Sequence, residues 1–266
     1  MQRFEAKGIK VAAVSYDNSA ILEDFAARHK IDFPLLADPD PKVIRNFHVL
    51  NEKAEGMTKG MALAGFYYID KSGVIREKYF EANYLQRFTA NDVIAKLFPE
   101  LTEEVSQKVD AAHLDLALAQ SDRTVSPGSR TSLFVNVSLP SDTHVYAPGA
   151  TGYKPIELVV RPSPEVELEP ATYPEPKTLF LDAIKEKVPV FEGNFRIVQD
   201  LKVVVSKALI DSLGATGKTI QVNGELKYQA CNKTVCYRPT SVPVNWQLQV
   251  LPLDTQRSPE VIRHKQ

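Results

Sequence analysis

Ile220-Gln221-Val222-Asn223-Gly224-Glu225-Leu226-Lys227-Tyr228 runs directly into Gln229-Ala230-Cys231-Asn232-Lys233-Thr234-Val235-Cys236-Tyr237-Arg238-Pro239. In the first part Ile220, Val222, Leu226 and Tyr228 keep a spacing of two, interrupted at Gly224. That period is the mark of a strand with one face buried. In the second part the cysteines enclose four residues, Asn232 and Lys233 among them, which suits a hairpin tip. Two sulfurs on adjoining strands then face each other within disulfide reach.

The same alternation extends outward through Leu133, Val135 and Val137, through Leu201, Val203 and Val205, and through Trp246, Leu248 and Val250. Proline recurs over the whole of 111–253. Short alternating strands broken by turn residues predict an all-β antiparallel sandwich over 111–253. Residues 1–97 follow an α/β pattern instead. Lys10 to Tyr16 is a short apolar run suited to a buried parallel strand. A helix opened by Asn18 or Ser19 carries Ile21, Leu22, Phe25 and Ala26 on one face. Asp40-Pro41 predicts a second helix start, with the acid as cap. Strands over 63–69 and 74–80 are joined by Asp70-Lys71-Ser72-Gly73, and Thr89 caps a last helix with Val93, Ile94 and Leu97. Residues 98–110 are polar and aperiodic and predict a linker; residues 254–266 predict a solvated tail.

The chain has 266 residues, 44% hydrophobic and 24% charged, with a formal net charge of −1. That length predicts two domains, and the charge gives no electrostatic ground for nucleic acid or an anionic membrane as partner. No apolar run approaches the length of a membrane span, and the first residues, Met1-Gln2-Arg3-Phe4-Glu5, do not have the form of a signal peptide.

Cys231 and Cys236 are the two cysteines of the chain. A ring this small gains only about 2 kcal/mol from loop entropy, which weakens a purely structural purpose. Lys227, Lys233 and Arg238 surround the pair and favour thiolate, the form that attacks a disulfide. A passive hairpin disulfide remains the alternative. Zinc does not suit the pattern, since a structural site wants four ligands and no histidine stands near the pair. No metal and no cofactor is expected. His29 and His48 read as surface or half-buried side chains, Glu103-Glu104 as a solvated stretch, and the glycosylation-like triplets at Asn136 and Asn232 as chance matches.

Three segments carry a resemblance in the first half: 8–17 (Gly-Ile-Lys-Val-Ala-Ala-Val-Ser-Tyr-Asp), 33–40 (Phe-Pro-Leu-Leu-Ala-Asp-Pro-Asp) and 67–73 (Tyr-Tyr-Ile-Asp-Lys-Ser-Gly). They resemble the redoxin branch (AhpC/TSA type) of the peroxiredoxin and thioredoxin-like superfamily. The resemblance implies a thioredoxin-like lobe that lacks its first strand and reactive cysteine, with Ala64 where the family usually has a cis-proline. In the second half, residues 228–239 and Val242-Pro243-Val244, with weaker support from His144-Val145-Tyr146 and Val190-Phe191-Glu192-Gly193, resemble the N-terminal domain of the thiol:disulfide interchange protein DsbD. This implies an immunoglobulin-like sandwich in a bacterial, periplasmic or otherwise extracytoplasmic setting. It implies that Cys236 forms the mixed disulfide, that Cys231 resolves it, that Tyr146 lines the site, and that the partner is a thioredoxin-like exchange protein.

The expected function is therefore a thiol–disulfide oxidoreductase or redox relay working through Cys231 and Cys236. Two alternatives stand beside it: a non-catalytic interaction module with a structural disulfide, and a redoxin peroxidase whose N-terminus is lost.

Overall fold

A computed structural model of the chain describes residues 4, 8–81, 83, 85–99, 107–181 and 185–263. Most of the N-terminal segment 1–7, residues 100–106 of the expected linker and the acid pair Glu103-Glu104 lie outside the described residues. The chain divides into two compact units, Met1–Arg87 with Asp254–Gln266, and Phe88–Leu253.

In the first unit β1 (Ala13–Ser15) pairs in parallel with β2 (Leu35–Ala37) across helix α1 (Ser19–His29). Asn18 is the residue that opens α1, its side-chain oxygen accepting from Ile21 N–H at 3.0 Å. The expected strand over 10–16 contracts to three residues because its partner offers only three. Helix α2 (Lys42–Asn46) is anchored by Asp38 rather than by Asp40: the Asp38 carboxylate accepts from Lys42 N–H at 3.0 Å and Ile44 N–H at 2.9 Å. β3 (Gly65–Ile69) and β4 (Ile75–Phe80) form a separate antiparallel hairpin. The Asp70 carboxylate gathers its turn, accepting from the Ser72 hydroxyl, Val74 N–H and Arg76 Nε, and the first of these leads in holding its pKa at about 2. Residues 254–263, expected as a solvated tail, are tied to α1: Asp254 lies 3.0 Å from His29 Nε2, and Asn18 Nδ2 donates to Ile262 O. His29 and His48 are both exposed.

The second unit is mostly β. Its strands are β5 (Gln107–Val109), β6 (Asp115–Gln120), β7 (Thr124–Val125), β8 (Ser129–Ser138), β9 (His144–Tyr146), β10 (Glu157–Val160), β11 (Val166–Leu168), β12 (Lys177–Leu181), β13 (Glu186–Glu192), β14 (Asn194–Val203), β15 (Lys218–Tyr228), β16 (Ala230–Cys231) and β17 (Thr240–Val250). β5 rises from residues expected as linker. One sheet runs β11-β14-β8-β6-β5, a second β10-β15-β17-β7, and a third β12-β13-β9-β16. Between these strands the pairing is antiparallel except where β7 runs parallel to β17. The first two sheets share one core: Leu133, Val135, Ile197 and Leu201 meet Val222, Leu226, Trp246 and Leu248. Their period of two is what allows each strand to offer one apolar face to it.

β8 is buried on both faces. On the side away from the shared core, Phe134 packs with Ala119 and with Ala95 of helix α3 (Ala90–Leu97). The helix that the sequence groups with the α/β half therefore covers a sheet of the second unit. Its cap is Thr89 as expected, accepting from Asp92 N–H at 3.0 Å. No helix among the described residues is long and apolar enough to cross a membrane.

Candidate functional site

β15 delivers the chain to Cys231, and a tight hairpin returns it through Cys236. Asn232 N–H donates to Val235 O and Tyr237 N–H donates to Ala230 O, both at 2.9 Å. Cys231 and Cys236 sit opposite each other between those two rungs. They occupy a pair position without hydrogen bonds of its own, where opposed side chains stand closest. A disulfide joins them, with Cα atoms 4.0 Å apart. The tip, Lys233-Thr234, is folded by Asn232: its Oδ1 accepts from Thr234 N–H at 2.9 Å, Thr234 Oγ1 at 3.0 Å and Val235 N–H at 2.8 Å.

The two sulfurs differ in environment. Cys231 is 0% exposed, whereas Cys236 is exposed, next to an exposed Val235. An incoming thiolate can reach Cys236. The electron pair released from a broken bond would settle on the fully buried Cys231.

β9 lies alongside β16 and supplies the floor. His144 pairs with Cys231 on one side and Glu192 on the other, so their side chains share one face with Tyr146, two residues on. The Tyr146 hydroxyl stands 3.7 Å from both sulfurs and is the hydrogen-bond donor available to either. Burial first, then the neighbouring Tyr153, pushes its pKa up, so the hydroxyl keeps its proton. Tyr153 stacks on it at 4.2 Å between centroids and donates to Glu186. Burial lowers the pKa of His144 against an opposing pull from Glu192, which keeps the imidazole neutral. Its Nε2 is buried without a hydrogen-bond partner.

The structure thus brings together all three predicted site residues, Cys231, Cys236 and Tyr146. The predicted cationic surroundings are partly compensated, since Lys233 is 2.8 Å from Asp142 and Lys227 is 3.6 Å from Glu225. Sequence reasoning passed over His144 as a site residue, although its spacing of two from Tyr146 puts it on the same strand face. It also passed over Tyr153, which reaches the site from a distant turn and leaves no local pattern. Among the described residues no cluster of His, Cys, Asp and Glu is placed to hold a metal ion. Asn136 lies inside β8, and the Asn232 amide is used up in the hairpin tip.

Residues 116–245 match the family model of the thiol:disulfide interchange protein DsbD, N-terminal. Residues 1–78 match that of the AhpC/TSA family. Both resemblances read from the sequence are thereby borne out, one in each half. No curated protein matches the chain. Among solved structures, the N-terminal periplasmic domain of ScsB from Proteus mirabilis is 16% identical, covers 53% of this chain and has a TM-score of 0.37. This chain spans about half of that structure, 49% of its length. The reduced DsbD N-terminal domain of Neisseria meningitidis is 12% identical at a TM-score of 0.30, with 59% of this chain and 98% of that one covered. The complex of the DsbD and PilB N-terminal domains from the same organism is also 12% identical at 0.30, covering 56% of this chain and 86% of that one.

Proposed function

We propose that this protein exchanges disulfides through Cys231 and Cys236 with a thioredoxin-like partner, in a periplasmic or otherwise extracytoplasmic compartment. The observation that carries the reading is the contrast between an exposed Cys236 and a fully buried Cys231 bridged to it. A partner thiolate attacks Cys236 Sγ; the new intermolecular bond forms as the Cys231–Cys236 bond breaks, and the electron pair remains on Cys231. The Tyr146 hydroxyl, within reach of both sulfurs, stabilises that thiolate. A second thiol of the partner then attacks the mixed disulfide and releases Cys236, leaving the partner oxidised and the pair reduced. The reverse sequence passes electrons the other way.

Both family matches are to families of thiol chemistry, although both cysteines of this chain stand in the second half. A complex of a DsbD N-terminal domain with a PilB domain is a precedent for a protein partner. Disulfides form and persist in oxidising compartments, which agrees with the location. In this reading the second unit carries an immunoglobulin-like sandwich and the first unit an incomplete thioredoxin-like lobe. Residues 1–97 contain no cysteine, so peroxide turnover by a thiolate of their own is not part of it.

Cys231→Ser is expected to trap a mixed disulfide between Cys236 and a thioredoxin-like protein, because no resolving thiol remains. Cys236→Ser is expected to trap little. Non-reducing electrophoresis with mass spectrometry of the captured species reads the result. Capture by neither variant, with a wild-type potential below about −300 mV, would make the bond a structural staple.

A further inference from the structure

The turn between β5 and β6 reaches the cysteine hairpin from elsewhere in the second unit. His113 lies flat on Tyr237, with ring centroids 3.6 Å apart and planes 9° from parallel. Its backbone is held at φ 68°, a left-handed conformation that a non-glycine residue keeps only where its surroundings impose it. One residue earlier, Ala112 O accepts a hydrogen bond from the Tyr228 hydroxyl at 2.8 Å. Tyr228 stands just ahead of Cys231 and Tyr237 directly follows Cys236. One turn therefore clasps the chain on both sides of the pair. From Tyr237 the contacts continue inward, since its hydroxyl accepts from Asn232 Nδ2 at 3.1 Å, and Asn232 is the residue that folds the tip.

We propose that His113 is a positioning residue for disulfide exchange: its ring holds Tyr237, Tyr237 holds the Asn232 amide, and Asn232 sets the loop that keeps Cys236 facing Cys231. This rests on the reading that the pair exchanges. In the oxidised protein the S–S bond itself ties the hairpin. Reduction by a dithiol delivers two electrons and two protons to the pair, while the dithiol closes to its own disulfide. From then on the clasp has to keep the thiols opposed. Loosening it lowers the effective concentration of one thiol at the other, so the bond re-forms less readily and the pair becomes easier to reduce.

The test equilibrates the full chain with mixtures of reduced and oxidised dithiothreitol and measures the reduced fraction by thiol alkylation. His113→Ala is expected to shift the equilibrium towards the dithiol by about three- to tenfold, tenfold being about 30 mV for this two-electron couple. His113→Phe keeps a ring to stack and is expected to stay within about twofold of wild type. Tyr237→Phe keeps the stack but removes the hydroxyl that Asn232 meets; it is expected to shift in the same direction as His113→Ala, and carries the test if that variant fails to fold. Equal shifts in His113→Ala and His113→Phe would overturn the stacking role. No shift in any variant, with a wild-type pair that reduces reversibly, would overturn the positioning role and leave exchange standing. A wild-type bond untouched by excess dithiothreitol would overturn both.

Discussion

Ser132 has one hydroxyl hydrogen, yet its Oγ lies 2.5 Å from Asp92 Oδ1 and 2.5 Å from Asp200 Oδ1. One contact can use that hydrogen, and the other requires a proton on a carboxyl. Asp92 is the group to carry it: its side chain is fully buried and burial pushes its pKa up, against the opposing charge of Lys96 at 3.1 Å. An acid raised on folding stabilises the fold fully below its unfolded pKa and loses that contribution as pH rises through the folded value. We expect the stability gap between wild type and Asp92→Asn to be largest in acid and to shrink towards neutral pH, by about 1.4 kcal/mol for each pKa unit of displacement. Urea melts followed by Trp246, the one tryptophan of the chain, measure it within the second unit. A gap that stays constant with pH would refute the protonated pair.

At the level of elements, Gly224 shows how a pattern that reads as broken can be continuous. Its residue type interrupts the alternation of 220–228, but β15 runs through it with Gly224 paired to Val160 on one side and Val244 on the other. A Cβ at this position would stand 2.6 Å from Val159 O and 3.1 Å from Val160 Cα. The glycine is there so that the β10 backbone can approach. Gly224→Ala should therefore destabilise the second unit by about 1–3 kcal/mol, since backbone has to yield rather than a flexible side chain. The same urea melts check it, and an unchanged midpoint would count against the close approach.

Across the whole molecule the two units differ in how much they bury. Up to Arg87 the buried apolar side chains among the described residues are Leu22 and Ile44, while Val14 and Leu36 of the parallel pair are 40% and 50% exposed. The second unit has an extended core with Leu133, Val135, Ile197, Leu201, Leu226 and Leu248 all at 0% exposure. Backbone amides of Ala13–Ser15 are expected to exchange with solvent at least about a hundredfold faster than those in the middle of β8. Hydrogen exchange by mass spectrometry reads both segments in one run, and equal protection would contradict the difference in burial.

The period of two along 133–137, 201–205, 220–228 and 246–250 was sufficient to identify the β half, and the cap residues Asn18 and Thr89 marked two helices. These are local signals, set by hydrogen bonds and burial within a few residues. The five-residue separation of the cysteines likewise made the hairpin and its disulfide legible. The partner of α3 was not: Val93, Ile94 and Leu97 announce an apolar face but not which sheet will cover it, and Phe134 and Ala119, on the sheet face turned away from the shared core, decided that. The linker reading failed at 107–109 for a similar reason, because a polar strand such as β5 forms once a neighbour offers it hydrogen bonds. The unequal exposure of the two sulfurs, the Tyr146 hydroxyl between them and the stack of His113 on Tyr237 all depend on contacts between residues far apart in the chain. Sequence determined which side chains are available for thiol chemistry; only packing, by burying Cys231 and leaving Cys236 at the surface, decided which sulfur is accessible.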